Sequence, residues 1–304
     1  MAKRVWHYTN TAGLLGILDA QAAAAQMDRM GDTRELSRGA FSVRFTDAQY
    51  LNDPQEMRFA RVELAGILQD QADTLSGEDR DELDEVLTWL RNPDKAPSRA
   101  GDITARGTYV ACFSRAKDSL SQWSGYAGSR GYAIAFDEEV LGKMWAPIKI
   151  KAEDIEPGEH VLVRPKVYEM KYGAQAVTKW FKTIAPLIIE PRFENPRRYL
   201  CELALAIAKD DPYRHEEEVR AVVMRGPSPQ MLSFREGALG VVPYLVVSYL
   251  PLKKNSPRLI REIMVGPGDE IEPRRDAVMQ LVHERGFDPE TEIPVTQSKI
   301  LFRG

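Results

Sequence analysis

Apolar residues fall in two different rhythms along this chain, and their alternation limits it to a mixed architecture. Phe41, Val43 and Phe45 alternate with Ser42 and Arg44, the period of a half-buried strand. Leu14, Leu15, Ile17 and Leu18 follow Asn10 and Thr11 at helical spacing, with Asn10 and Thr11 placed to cap the helix. Further runs rich in β-branched, aromatic and small residues occupy 5–9, 108–113, 131–136, 159–168, 217–223, 244–250 and 260–265, and read as strands. Helical patterns cover 174–189, 197–209 and 274–285. From Pro54 to Leu90 the spacing stays mostly helical around Ser76-Gly77-Glu78-Asp79, which predicts a helical hairpin with a solvated, charged face. An α+β fold is expected, read as one domain over 1–304 with a helical insertion at 54–93. No internal repeat interrupts it.

Charge and cysteine usage exclude several classes. The 41 basic and 45 acidic side chains leave a net charge of −4, so no bulk positive field holds nucleic acid, and only a local basic cleft is left open. With 43% apolar and 28% charged residues in 304, the chain buries a core without staples. Its two cysteines, Cys112 and Cys201, suit a reducing cytoplasm. The start, MAKRVWHYTN, turns polar before a secretory apolar region has run, and no stretch reaches the roughly 18 apolar residues of a membrane span. A cytoplasmic location without membrane partners is expected. His7, His160, His215 and His283 are scattered, so no dedicated metal site is expected. Signatures of Rossmann enzymes, P-loop NTPases and α/β-hydrolases are missing, and Gly266-Pro267-Gly268 reads as a turn rather than a phosphate cradle.

Four segments gather polar and aromatic side chains in places that packing explains incompletely. In Trp6-His7-Tyr8-Thr9, His7 serves either as a core histidine donating to a backbone carbonyl or as a ligand contact, while Tyr8 and Thr9 either cap and pack or line the same pocket. In Tyr50-Leu51-Asn52-Asp53-Pro54-Gln55-Glu56, Asn52 and Asp53 suit a turn before a helix starting at Pro54. Trp123 and Tyr126 flank a glycine between two expected strands, where the rings either close the core or stack on a flat ligand. Glu216, Glu218 and Arg220 alternate, so on a strand they project to one face. That row is either a charged surface or a pair of carboxylates facing a cleft, one orienting a hydroxyl and the other stabilising developing positive charge.

In order, WHYT, LNDPQE, CFS, SQWSGYA, GYAIAFD, EEEVR and EIMVGP resemble the blocks of a widespread bacterial family numbered 2971 among the domains of unknown function, over nearly the whole chain. Through the HisTyrThr block the resemblance extends distantly to ADP-ribosyltransferases of the DarT and diphtheria-toxin type. It implies a split, mixed and antiparallel β-sheet core that binds NAD⁺ as substrate in a cleft. ADP-ribose would pass to an unidentified macromolecular acceptor, protein or nucleic acid, as in a toxin or phage-defence effector. The same resemblance implies that His7 holds the adenosine-side ribose with Thr9 beside it. Tyr126, or Trp123, would stack against nicotinamide, Glu218 would hydrogen-bond the nicotinamide ribose, and Glu216 would orient the acceptor. Tyr8 and Asn52 join the expected pocket. The middle block here is a single SQWSGYA segment rather than a paired tyrosine helix, and a one-residue slip would exchange Glu217 for Glu218. Two other classes stay open: a non-catalytic ligand- or protein-binding module, and a nucleic-acid-directed enzyme, against which the overall acidity counts.

Overall fold

The computed structural model describes residues 3–19, 39–51, 56–72, 75–92, 107–128, 130–148, 161–190, 197–225, 232–237, 240–251 and 256–300. Strand β1 (Arg4–Thr9) lies antiparallel to β4 (Tyr132–Asp137) over its whole length, from Arg4 opposite Asp137 to Thr9 opposite Tyr132. Strand β4 continues antiparallel into β13 (Ile260–Val265), which pairs in parallel with β14 (Val295–Gln297). A second group is centred on β3 (Gly107–Ser114), paired along its length with β10 (Glu218–Arg225), which carries β7 (Lys166–Glu169). Strand β3 also meets β2 (Phe41–Asp47) at Val110 and Tyr109, and β2 extends through β12 (Gly240–Tyr249) to β11 (Ser233–Gly237).

These ten strands form one mixed, mostly antiparallel sheet, and with helices on both faces the fold is α+β. The two groups are joined between β1 and β3 by one register pair, Trp6 with Ser114. We call this junction the seam. Among the described residues two small ribbons lie outside this sheet, β5 (Ala146–Ile148) with β6 (Val161–Val163) and β8 (Lys171–Tyr172) with β9 (Ala208–Lys209).

Strand alternation feeds three apolar clusters. On one sheet face Val5, Phe45, Phe113, Phe136, Val219 and Val223 pack with α1 (Thr11–Leu18), capped by the Asn10 side chain, and with Val278 and Val282 of α6 (Ile271–Glu284). On the other face Val110 and Val222 meet α2 (Glu56–Gln69), α3 (Glu78–Arg91), α4 (Gly173–Ile189) and α5 (Arg197–Ala206). The helical pair expected around Ser76–Asp79 is thus α2 and α3, with Gly77 at φ +60 before α3. Pro54 lies outside the described residues. On the β1 side of the seam, Trp6, Tyr8, Trp123, Ala133, Ala135 and Met264 belong to the third cluster. Among the described residues no helix is long and apolar enough to cross a membrane.

Two expected elements come out differently. The strand read over 159–168 is two strands within its described part, β6 and β7, separated at Arg164 and Pro165, where proline supplies no N–H for a ladder. The helix read over 197–209 stops at Ala206, and Ala208 and Lys209 leave it to pair in parallel with Lys171 and Tyr172. The turn at Gly266 is stitched into the frame: its amide donates to Gly131 O at 2.9 Å, and Arg274 donates to its carbonyl at 3.2 Å. A Cβ at Gly266 would stand 2.8 Å from both Gly131 O and the buried Trp123 ring. Gly266→Ala is therefore expected to cost about 1–3 kcal/mol in urea unfolding, the range for overpacking. A change below about 0.5 kcal/mol would contradict that packing.

Candidate functional site

Ser114 sits where the two halves of the sheet meet, opposite Trp6 of β1 and opposite Glu218 of β10. Its hydroxyl donates to Glu216 O at 2.7 Å and accepts from Ala116 N at 3.0 Å, tying the seam to the turn that leads into β10. That turn is a 3₁₀ helix over Asp211–Glu216, started by Pro212 and capped by the Asp210 side chain. Glu217 then takes left-handed backbone angles, φ 45 and ψ 44, its amide donating to Arg214 O and its carbonyl accepting from Arg115 N. A non-glycine residue there stores on the order of 1–3 kcal/mol of strain. The consequence is positional: Glu217 faces solvent, while Glu216 and Glu218 both turn inward.

Between the two buried carboxylates lies Lys209. Its Nζ donates to Glu216 Oε2 at 2.6 Å and to Glu218 Oε2 at 2.9 Å, with the Tyr213 ring 4.9 Å away. Arg220, next on the same face of β10, donates from Nε to Glu218 Oε1 at 2.6 Å, from Nη2 to Oε2 at 3.1 Å, and from Nη1 to Ala206 O at 2.8 Å. Two cations thus balance two carboxylates, the condition for tolerating buried charge. Burial pushes the Glu218 carboxyl up, but the charges and hydrogen bonds of Arg220 and Lys209 outweigh it and hold its pKa down at about 2. Glu218 is ionised throughout the neutral range. Opposite Arg220, the Cys112 thiol is pushed up to about 12 by burial and by Glu218, so it is no nucleophile at neutral pH. The Glu218 amide donates to Tyr172 Oη at 2.6 Å.

The aromatic segment separates its two rings. A helical turn at Leu120–Gln122 runs into a π-helical turn, Trp123–Ala127, a backbone form concentrated at functional sites, and Gly128 ends it at φ +69. Trp123 is fully buried, its indole donating to Asp118 Oδ1 at 2.7 Å and its ring edge-on to Tyr8 at 4.8 Å. Its faces are occupied by the protein. Tyr126 is 44% exposed and points its hydroxyl at Glu216, 3.4 Å from Oε2 and 3.5 Å from Oε1. Burial raises its pKa, so the phenol remains a donor.

His7 stands at the seam. Its Nδ1 lies 2.9 Å from Cys112 O, and because a carbonyl only accepts, Nδ1 carries the proton and Nε2 presents a lone pair. Phe113 and Phe136 flank the ring at 5.6 and 6.5 Å between centroids. Desolvation lowers its pKa against the opposing Cys112 hydrogen bond, so it is neutral at pH 7. Tyr8 is buried, its hydroxyl donating to Ala116 O at 2.8 Å and accepting from Ser119 N at 3.2 Å. Thr9 packs into the first turn of α1, where a Cβ on Gly13 would stand 1.8 Å from Thr9 Oγ1.

Comparison with protein-family models, curated proteins and solved structures finds no match for this chain. The assignment of the site therefore rests on its own geometry. Tyr126, Glu216 and Glu218 come together around Lys209, whereas the His7 ring packs between Phe113 and Phe136 on the other sheet face and meets Cys112 at its carbonyl. Trp123, Tyr8 and Thr9 are committed to packing and loop anchoring, and Asn52 lies outside the described residues. Sequence reasoning missed Lys209, Tyr172, Tyr213 and Cys112. The available signal was the apolar run Leu203–Ala208 leading straight into one lysine, followed within ten positions by the two carboxylates.

The depressed carboxyl carries a pH signature. A group with pKa about 2 in the fold and about 4.5 otherwise contributes stability that is complete above about pH 5 and is lost as pH falls through 2. Glu218→Gln is expected to cost about 3–5 kcal/mol at pH 7, because it leaves buried cations under-compensated. Its deficit relative to wild type should narrow as the pH drops below 4.5. Equal deficits at pH 7 and pH 3.5 in urea unfolding would contradict the pairing.

Proposed function

We propose that this chain is an ADP-ribosyltransferase-like protein of the bacterial family numbered 2971, which binds NAD⁺ and transfers ADP-ribose to a macromolecular acceptor. The observation that carries the reading is the buried carboxylate pair at the head of β10: an ionised Glu218 beside Glu216, with the half-exposed Tyr126 directing its hydroxyl at Glu216, while His7, neutral, lines the other face of the seam between Phe113 and Phe136. The sheet, joined there by one register pair, supports it.

In this reading the bond between nicotinamide and ribose breaks with its electron pair leaving on nicotinamide, and positive charge develops on the anomeric carbon. A fixed carboxylate beside that carbon stabilises the charge as it forms, which is the role of Glu218. Tyr126 stacks on the nicotinamide, His7 Nε2 accepts from a hydroxyl of the adenosine-side ribose, and Glu216 orients the acceptor nucleophile that closes the new bond. Trp123 carries no part in stacking, since both its faces are buried. One observation favours a second reading, a ligand-binding module without turnover: Lys209 and Arg220 already satisfy the carboxylates.

Calorimetry with NAD⁺ tests both readings. Wild type is expected to bind, Tyr126→Ala to lose about 1–3 kcal/mol of binding, by analogy with bases stacked on aromatic rings, and Tyr126→Phe to keep most of it. No heat of binding with folded wild type would remove NAD⁺ from the account. Binding without NAD⁺ hydrolysis or labelling of a lysate would select the module. Wild-type turnover by folded Glu218→Gln would strip Glu218 of its role.

A further inference from the structure

We infer that Lys209 is the positioning residue of the Glu216–Glu218 pair: its ammonium, sealed between the two carboxylates, holds both on one side of the β10 N-terminus and fixes their mutual orientation at the seam. The inference rests on the NAD⁺ reading for what the pair acts on, and on geometry alone for what Lys209 does.

The left-handed Glu217 turns Glu216 and Glu218 to one side, but nothing in the local backbone holds the two carboxylates together. Glu216 ends a 3₁₀ turn, Glu218 opens a strand, and Glu217 between them is left-handed. Two buried carboxylates turned to the same side repel, so an opposing charge must lie between them. Lys209 arrives from another segment, held in place by the pairing of β9 with β8, and its side chain is 1% exposed. From one atom it reaches both partners, at 2.6 and 2.9 Å. A compact ammonium serves two acceptors converging on one point, a geometry that the planar fork of arginine does not match. Arg220 grips Glu218 from within the strand, whereas Lys209 bridges the pair. Among the described residues, the charged and titratable groups around it include Glu216 and Tyr213 of the turn, Glu218 and Arg220 of β10, Cys112 of β3, Tyr172 of β8 and Tyr126 of the π turn. They place Lys209 at the middle of the site.

The test uses the full chain and two variants. In Lys209→Met, which keeps volume and removes charge, ¹³C NMR of labelled glutamate carboxyls, with Glu218 assigned by its loss in Glu218→Gln, is expected to put the Glu218 midpoint at least about one pH unit above its wild-type position. With NAD⁺ as substrate, kcat should fall at least about tenfold while KM stays within about threefold, a split that general loss of folded protein does not produce. Where the Met variant folds poorly, Lys209→Ala is assayed with added ethylammonium, which is expected to restore both the titration and part of kcat. An unmoved Glu218 midpoint, or failure of ethylammonium to restore anything in folded Lys209→Ala, would overturn the inference. If wild type does not turn over NAD⁺, the functional reading falls, and the titration alone decides the role of Lys209.

Discussion

Ser114 joins three elements that the sequence places far apart, and the candidate site follows from that junction. On one side it registers with Trp6, the single pairing that connects β1 and its neighbours to the rest of the sheet. On the other it registers with Glu218, and its hydroxyl holds the carbonyl of Glu216. With one pairing instead of a full ladder, β3 has backbone acceptors near the seam that no β1 amide reaches, and the His7 ring supplies the donor for Cys112 O. A histidine that completes a ladder in this way has its tautomer fixed.

The second constraint is electrostatic. Burying Lys209, Glu216, Glu218 and Arg220 together is tolerable because the charges cancel and the donors find acceptors, and apolar residues of similar volume would serve stability at least as well. A buried ionic cluster at the end of a strand, under a partly exposed tyrosine, is thus poorly explained by stability alone. Perturbed carboxylates in such places gather at functional sites. The anchoring around it is correspondingly stiff. Asp118 accepts from the Trp123 indole, from Ser298 Oγ and from Lys299 N, so the C-terminal segment braces the turn that presents Tyr126.

Much of this frame was legible in the sequence, because strand alternation and helix caps are local. Asn10 caps α1 as its position indicates, and the period-2 run at Phe41 is β2. The pairing of Glu216 with Glu218 on one side was also legible, although alternation reached it by a different route from the left-handed Glu217 that produces it. The rest depends on contacts between distant segments. A pattern of spacing does not say which of two aromatics three residues apart is sealed in the core, since Trp123 and Tyr126 are told apart by a π-helical turn packed on Tyr8. Nor does it say that a lysine at the end of a helical pattern leaves the helix, because β8 and two carboxylates claim it. The seam itself is an absence of pairing, and composition leaves no trace of it.

The most direct measurement is a crystal structure with a non-hydrolysable NAD⁺ analogue. The account predicts the nicotinamide ribose within hydrogen-bond distance of the Glu218 carboxylate, the nicotinamide against the Tyr126 ring, and a ribose hydroxyl on His7 Nε2. An analogue bound away from the seam, with Glu216 and Glu218 still closed on Lys209 and out of its reach, would contradict it.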